Sequence, residues 1–271
     1  MAAAPEIVVA EDAPALAADV ARRALAALAA AQARHGRAVL ALTAGSIMEQ
    51  VWQAIADSAG AGTPGTDSPG ADSAGAGTPG AGTPGADSQG AGSVDWGRVD
   101  VVWADERFVP AASADRNDGP AQRILFGHQP FAAARQLSMP ASDGPHPDLD
   151  EAARWYAGQL AGLERPHVVL LGLGPDGHCA SLFPNHPGTL VAGSTVIGVR
   201  NSPKPPPERL SFTFDLLDEA AEIWFVASGS GKADAVALAH SGASREQVPS
   251  AGPRGRDRTL WLLDRDAAAL L

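Results

Sequence analysis

The stretch HVVLLGLGPDGHCASLFPNHP, residues 167–187, decides how the rest of the chain is read. An apolar run from Val168 to Leu171 passes into a glycine-rich turn that carries Asp176 and His178 two positions apart. A continuous apolar run ending in glycines reads as a strand covered on both faces, since a half-exposed strand would alternate. The pattern recurs in AVLAL (38–42) before TAGS, VDVVW (99–103) before ADER, EIWFVA (222–227) before SGSGK, and RTLWLLD (258–264). Ile7–Ala10 and STVIGV (194–199) are shorter extended stretches.

Helical patterns lie between these runs. Leu16, Val20, Leu25 and Leu28 recur at helical spacing within 14–35, and His35-Gly36 reads as a stop. Further helices are expected over 47–58, 118–127, 149–163, 215–221 and 231–242. Buried strands alternating with helices predict an α/β fold, a mostly parallel twisted sheet covered by helices on both faces. Functional groups in such sheets gather beyond the strands' carboxyl ends. Four loops therefore become candidates: 43–47, 104–110, 172–178 and 228–232. Residues 59–93 are almost entirely Gly, Ala, Pro, Ser, Thr and Asp, with near-repeats of AGTPG and GADS. No side chain there is large enough to anchor a core, so a disordered insertion within a single domain spanning 1–271 is expected.

Composition narrows the function. Thirty-one acidic residues against twenty basic ones give a formal charge of −11, which disfavours a nucleic-acid or anionic-membrane partner. Cys179 is the one cysteine, so no intrachain disulfide forms. The first residues lack a basic stretch, and no run approaches a transmembrane span, so a cytoplasmic protein is expected. A small-molecule substrate and a monomer or weak homo-oligomer complete the expectation. Only two of the basic residues are lysines, Lys204 and Lys232.

The glycine-rich turn has three readings. GLGPDG fits the dinucleotide fingerprint, but Pro184 and Pro187 leave little room for its crossover helix. No acidic residue stands between Gly177 and Pro207 to hold a ribose. His178, Cys179 and His186 match no standard zinc spacing. What remains is an acid–base histidine, His178, held by the carboxylate of Asp176.

The other candidate loops add charge and backbone donors. WADER sets Asp105, Glu106 and Arg107 directly after a buried strand, where a charged turn is expected. Gly45 and Ser46 open a helix, where backbone N–H groups suit a phosphate. ASGSGKADAV fails the P-loop pattern, because Ala233 stands where a magnesium-binding hydroxyl belongs. Its Lys232 still offers a point charge. SPKPPPER is a stiff extended loop carrying Lys204 and Arg209.

Taken together, WADERFVP with DRND, LLGLGPDGHCASLFPNHP, SPKPPPERLSFTF and GSGKADAV closely resemble the 6-phosphogluconolactonase branch of the glucosamine-6-phosphate isomerase/6-phosphogluconolactonase family. The motifs occur in the family's order across residues 41–236. Departures are Thr43-Ala44-Gly45-Ser46-Ile47-Met48 in place of a first loop usually like Gly-Gly-Ser-Thr-Pro, and DRND in place of a commoner pattern ending in Asn. The resemblance implies a glucosamine-6-phosphate deaminase-like fold, no cofactor and no metal.

It also implies hydrolysis of 6-phospho-D-glucono-1,5-lactone to 6-phospho-D-gluconate, a step of the oxidative pentose phosphate pathway. His178 is then expected to draw a proton from water, with Asp176 orienting a ring or a neighbouring cation. Arg107 is expected to stabilise the oxyanion or to fix Asp176. Gly45, Ser46, Lys204, Arg209 and Lys232 are expected at the phosphate, and Asp105 at a sugar hydroxyl. Cys179 and Ser181 are expected to pack rather than attack. Two alternatives stay open: a glucosamine-6-phosphate deaminase or isomerase on the same fold, and a non-catalytic sugar-phosphate sensor. Against the first, Arg107 stands where deaminases carry tyrosine, and Leu182-Phe183-Pro184 where they carry glutamate. Against the second, residues 1–40 hold no basic helix-turn-helix.

Overall fold

The computed structural model describes residues 4–60 and 93–271, leaving aside the side chains of residues 59 and 60. Almost all of the low-complexity segment at 59–93 lies outside the described residues. The chain runs β1 (Glu6–Ala10), α1 (Ala13–His35), β2 (Ala38–Leu42), α2 (Ser46–Gly60), β3 (Val99–Trp103), β4 (Asp105–Arg107) and α3 (Asp118–Ala121). It continues through β5 (Arg135–Leu137), α4 (Leu149–Leu160), β6 (Val168–Gly172), β7 (Val196–Val199), β8 (Arg209–Phe212), α5 (Phe214–Leu217), β9 (Glu222–Ala227), α6 (Ala233–Ala239) and β10 (Arg258–Asp264).

Seven strands form one wholly parallel sheet in the order β1-β10-β9-β6-β2-β3-β5. Every side chain of β2 and β3 is buried, so both faces of the sheet centre are covered. Trp52, Trp103, Trp224 and Trp261 are the largest fully buried side chains of this core. Local chemistry sets the helix ends. Asp12 caps α1 by accepting the Ala15 N–H, and Gly36, at φ +80°, closes it by donating to the Gln32 carbonyl. Asp148 caps α4 by accepting the Glu151 N–H at 2.8 Å.

Three findings depart from the expectations. In place of a charged turn at the end of WADER, Asp105–Arg107 is strand β4, pairing antiparallel with β8, which pairs antiparallel with β7. These strands are three or four residues long and two are charged or proline-flanked, so they show no apolar run. Residues 118–127 begin as an α-helix but loosen into a π-turn over Gln122–Phe126, where the Gly127 N–H reaches the Gln122 carbonyl at 2.8 Å. The helices expected over 149–163 and 215–221 stop at Leu160 and Leu217.

The strand order matters most for function. β9, β6, β2 and β3 are consecutive neighbours and all point the same way. The four candidate loops, one following each of these strands, therefore meet at one edge of the sheet.

Candidate active site at the carboxyl edge of the sheet

These loops, with β4, β8 and the proline-rich loop, enclose a cleft of about 290 Å³. Gly45, Ser46, Asp105, Arg107, His178, Lys204, Arg209 and Lys232 all line it, and Asp176 adjoins it through His178. The arrangement begins with a cross-link between β2 and β6. Thr43 Oγ1 donates to the Leu170 carbonyl at 3.2 Å and accepts the Gly172 N–H at 2.9 Å, fixing both strand ends.

The turn after β6 then folds back on itself. The Gly174 N–H donates to the His178 carbonyl at 2.9 Å, and the Gly177 N–H to the Gly174 carbonyl at 2.9 Å. Gly177 adopts φ +83°, where a side chain would also strike Val248. Gly174 is needed for space: a Cβ there would overlap the His178 ring and the Asp176 carboxylate. The histidine thus lies directly on glycine backbone.

His178 Nδ1 stands 2.5 Å from Asp176 Oδ1. An ionised carboxylate only accepts, so this nitrogen carries the proton and Nε2 keeps its lone pair. Lys204 Nζ donates to the same Asp176 oxygen at 3.2 Å. Burial opposes ionisation of Asp176, but the hydrogen bond from His178 and the charge and hydrogen bond of Lys204 outweigh it. Asp176 is held well below the usual carboxylate range. Phe183 packs against the His178 ring at 4.7 Å between centroids and fixes its plane.

The cations are placed by backbone. Lys232 Nζ donates to the Leu173 carbonyl at 2.7 Å, which ties the start of α6 to the end of β6. Burial and then the charge of Lys204 push the Lys232 ammonium below its ordinary value. Arg209 is buried and donates to the carbonyls of Pro206 (3.2 Å), Lys204 (3.1 Å) and Pro205 (3.1 Å). It therefore braces the loop that presents Lys204. Arg107 donates through Nη1 to the Asp115 carbonyl, and the hydrogen bonds to Asp176 come from His178 and Lys204. Of the two roles left open for Arg107, holding Asp176 has no contact behind it among the described residues.

Asp105 accepts from Ser181 Oγ at 2.8 Å, while Asn117 Nδ2 donates to its carbonyl at 3.0 Å. Ser181 and Cys179 are fully buried, and burial raises the Cys179 thiol far above its ordinary value. Four residues at the site are given no role by the sequence: Thr43, Asn117, Gly174 and Glu106. The first three carry no charge, and Glu106 is hidden between charged neighbours that face the cleft.

Among the described residues, one cluster has metal-ligating composition: His35, Glu164 and His167, with ligand atoms within 4.8 Å of one another. It lies at the opposite edge of the sheet. His167 Nδ1 accepts the Val39 N–H at 2.9 Å, so its proton sits on Nε2, facing Glu164. A metal would need the lone pair that this tautomer lacks there. The cluster does not fit a metal. No helix of the described residues is long and apolar enough to cross a membrane.

The chain is 40% identical to a 6-phosphogluconolactonase of Streptomyces coelicolor, over 98% of this chain and 95% of that protein. It is 45% identical to the 6-phosphogluconolactonase of Mycobacterium tuberculosis, over 66% of this chain and 75% of that one. In fold it is similar to a Shewanella baltica 6-phosphogluconolactonase, with a TM-score of 0.76 at 18% identity, over 97% of this chain and 99% of that one. A monomeric glucosamine-6-phosphate deaminase shares the fold with a TM-score of 0.73 at 18% identity, over 98% of this chain and 100% of that one. The family described as glucosamine-6-phosphate isomerases/6-phosphogluconolactonase matches residues 78–261, and the chain belongs to that family.

Proposed function

We propose that this chain hydrolyses 6-phospho-D-glucono-1,5-lactone to 6-phospho-D-gluconate, in the oxidative pentose phosphate pathway. The observation that carries the proposal is the joining of two features in one cleft. One is a histidine with a carboxylate-held Nδ1 and a free Nε2; the other is a crowd of cations on a chain of net charge −11. Lys204 depresses Lys232, and Arg107 adds to the burial that depresses Arg209. Such mutual repulsion is relieved by an anion, and a sugar phosphate supplies one.

In the proposed reaction, His178 Nε2 takes a proton from water as the water oxygen bonds to the lactone C1. The carbonyl becomes an oxyanion facing Arg107. The C1–ring oxygen bond then breaks, and His178 returns the proton to the departing ring oxygen. Asp176 holds the imidazole and balances its transient charge. Lys204, Lys232, Gly45, Ser46 and the two remaining Nη1 donors of Arg209 are assigned to the phosphate, and Asp105 to a sugar hydroxyl. No covalent nucleophile is required, because the lactone is an activated ester.

The chain is assigned as a single domain spanning 1–271, interrupted at about 59–93. A lone buried thiol, Cys179, suits the reducing cytoplasm we assign to it. The test is substrate comparison. The phosphorylated lactone should open far faster than its spontaneous rate, and unphosphorylated gluconolactone should gain little. Ammonia release from glucosamine-6-phosphate in place of lactone opening would move the assignment to the deaminase branch.

A further inference from the structure

Glu106 lies in sequence between two cleft residues, Asp105 and Arg107, yet its side chain is wholly buried. Main chain surrounds its carboxylate. Oε1 accepts the N–H of Arg107 at 2.7 Å and that of Asn117 at 2.7 Å, and Oε2 accepts the Asp118 N–H at 3.1 Å. Arg116, also buried, stands 3.5 Å from Oε2 and donates to Asp118 at 3.1 Å and to the Met139 carbonyl at 2.8 Å. These bonds fasten residues 115–118 against β4.

The fastened segment controls what faces the cleft. Asn117 lines it and donates to Asp105 through both the carbonyl (3.0 Å) and Oδ1 (3.3 Å). The Asp115 carbonyl receives the Arg107 guanidinium. Moving this segment would therefore move Asp105, Arg107 and Asn117 together.

We propose that Glu106 is a positioning residue, an ionised carboxylate whose backbone hydrogen bonds set where Asp105, Arg107 and Asn117 meet the substrate. Losing its charge then lowers turnover. This rests on the cleft being the lactone-hydrolysing site. Hydrogen-bond chemistry favours the ionised form in this role. A carboxylate presents only acceptors to the surrounding N–H groups, whereas a protonated acid sets an O–H against one of them. Burial nevertheless pushes Glu106 up to about 7, against the lowering by Arg116 and the backbone N–H groups. The groups that face it are Arg116 just before α3, Asp118 at the start of α3, Tyr156 on α4 and Arg209 on β8. The segment is thus held by a charge that is won or lost near neutral pH.

The test combines a variant with a measurement on the unaltered chain. Glu106→Gln keeps the shape, removes the charge and places donors where an acceptor stood. At pH 8 its kcat/KM should fall roughly 10- to 100-fold, mostly in kcat, as expected for misplaced site groups. In the unaltered protein, the backbone amide NMR signals of Arg107, Asn117 and Asp118 should shift together with one midpoint near neutral pH. In the variant that shared titration should vanish. Amides that do not titrate together, or a variant with unaltered kcat/KM, would overturn the proposal. If the variant does not fold, the amide titration of the unaltered chain decides alone. An unaltered chain without lactone hydrolysis would instead sink the functional reading, since the amides report independently of turnover.

Discussion

The sheet carries a histidine beside a carboxylate at each edge, and the two pairs differ in which ring nitrogen holds the proton. At the carboxyl edge, His178 donates a hydrogen bond from its Nδ1–H to Asp176 and leaves Nε2 free over a cleft lined by cations. At the amino edge, His167 uses Nδ1 to accept the Val39 N–H, so its proton faces Glu164. Burial and the neighbouring His35 also push His167 below its ordinary value, which keeps it neutral. A histidine–carboxylate pair is therefore not in itself a site. What the other ring nitrogen meets decides whether the pair can move a proton or merely fills a backbone need.

The sharpest way to strain this contrast is to disturb the glycine under His178. Gly174→Ala puts a methyl where the ring and Asp176 now lie, and should lower kcat by about 10²-fold, the scale of an ångström-sized misplacement. Circular dichroism should stay unaltered, because the turn lies at the edge of the sheet. Removing the charge at the cleft comes next. Lys204→Met should raise KM by roughly 10-fold and lower kcat less, through loss of a phosphate contact and of one brace on Asp176. Steady-state kinetics on the phosphorylated lactone separates the two parameters.

At the other edge, His167→Ala should leave kcat within a few-fold. It should cost about 1–3 kcal/mol of stability in a urea titration, because the Val39 N–H loses its buried acceptor. A large loss of turnover there would erase the contrast between the edges.

Glu106 supplies a pH signature. Its folded value is raised to about 7 from an ordinary 4.5, so the folded state holds its proton longer than the unfolded state does. The stability it contributes is fully present below about 4.5 and is lost as pH rises to about 7. Urea midpoints of the unaltered chain should therefore fall across that window relative to Glu106→Gln. A parallel course for the two proteins would contradict the assignment. The smallest effect belongs to the low-complexity segment: deleting residues 61–92 should leave kcat within a few-fold, as measured in the same lactone assay.

How much of this is legible in the sequence follows from the physics of each element. The buried strands are legible because Val168–Leu171 and its counterparts are uninterrupted apolar runs, and the candidate loops follow from where those runs stop. Asp176 and His178 are legible because a charged pair in a glycine-rich turn has few structural uses. The small antiparallel sheet is not, since Asp105, Glu106 and Arg107 pair through backbone while their side chains carry no apolar pattern. Charge alone directs Arg209 to the phosphate, and its bonds to three loop carbonyls depend on a fold-back no spacing reveals. Gly174 stays hidden because glycines abound in such turns. Only the ring lying on its backbone shows which of them cannot be replaced.

The decisive measurement is turnover of 6-phospho-D-glucono-1,5-lactone by the unaltered chain and by His178→Ala, both verified as folded. Glucose-6-phosphate dehydrogenase generates the lactone and 6-phosphogluconate dehydrogenase reports the acid. Clear acceleration over spontaneous opening is expected, reduced by roughly 10²–10⁴-fold in the variant. A variant that turns over at the unaltered rate would contradict the role of His178. An unaltered chain that does not accelerate the reaction would contradict the assignment of the cleft itself.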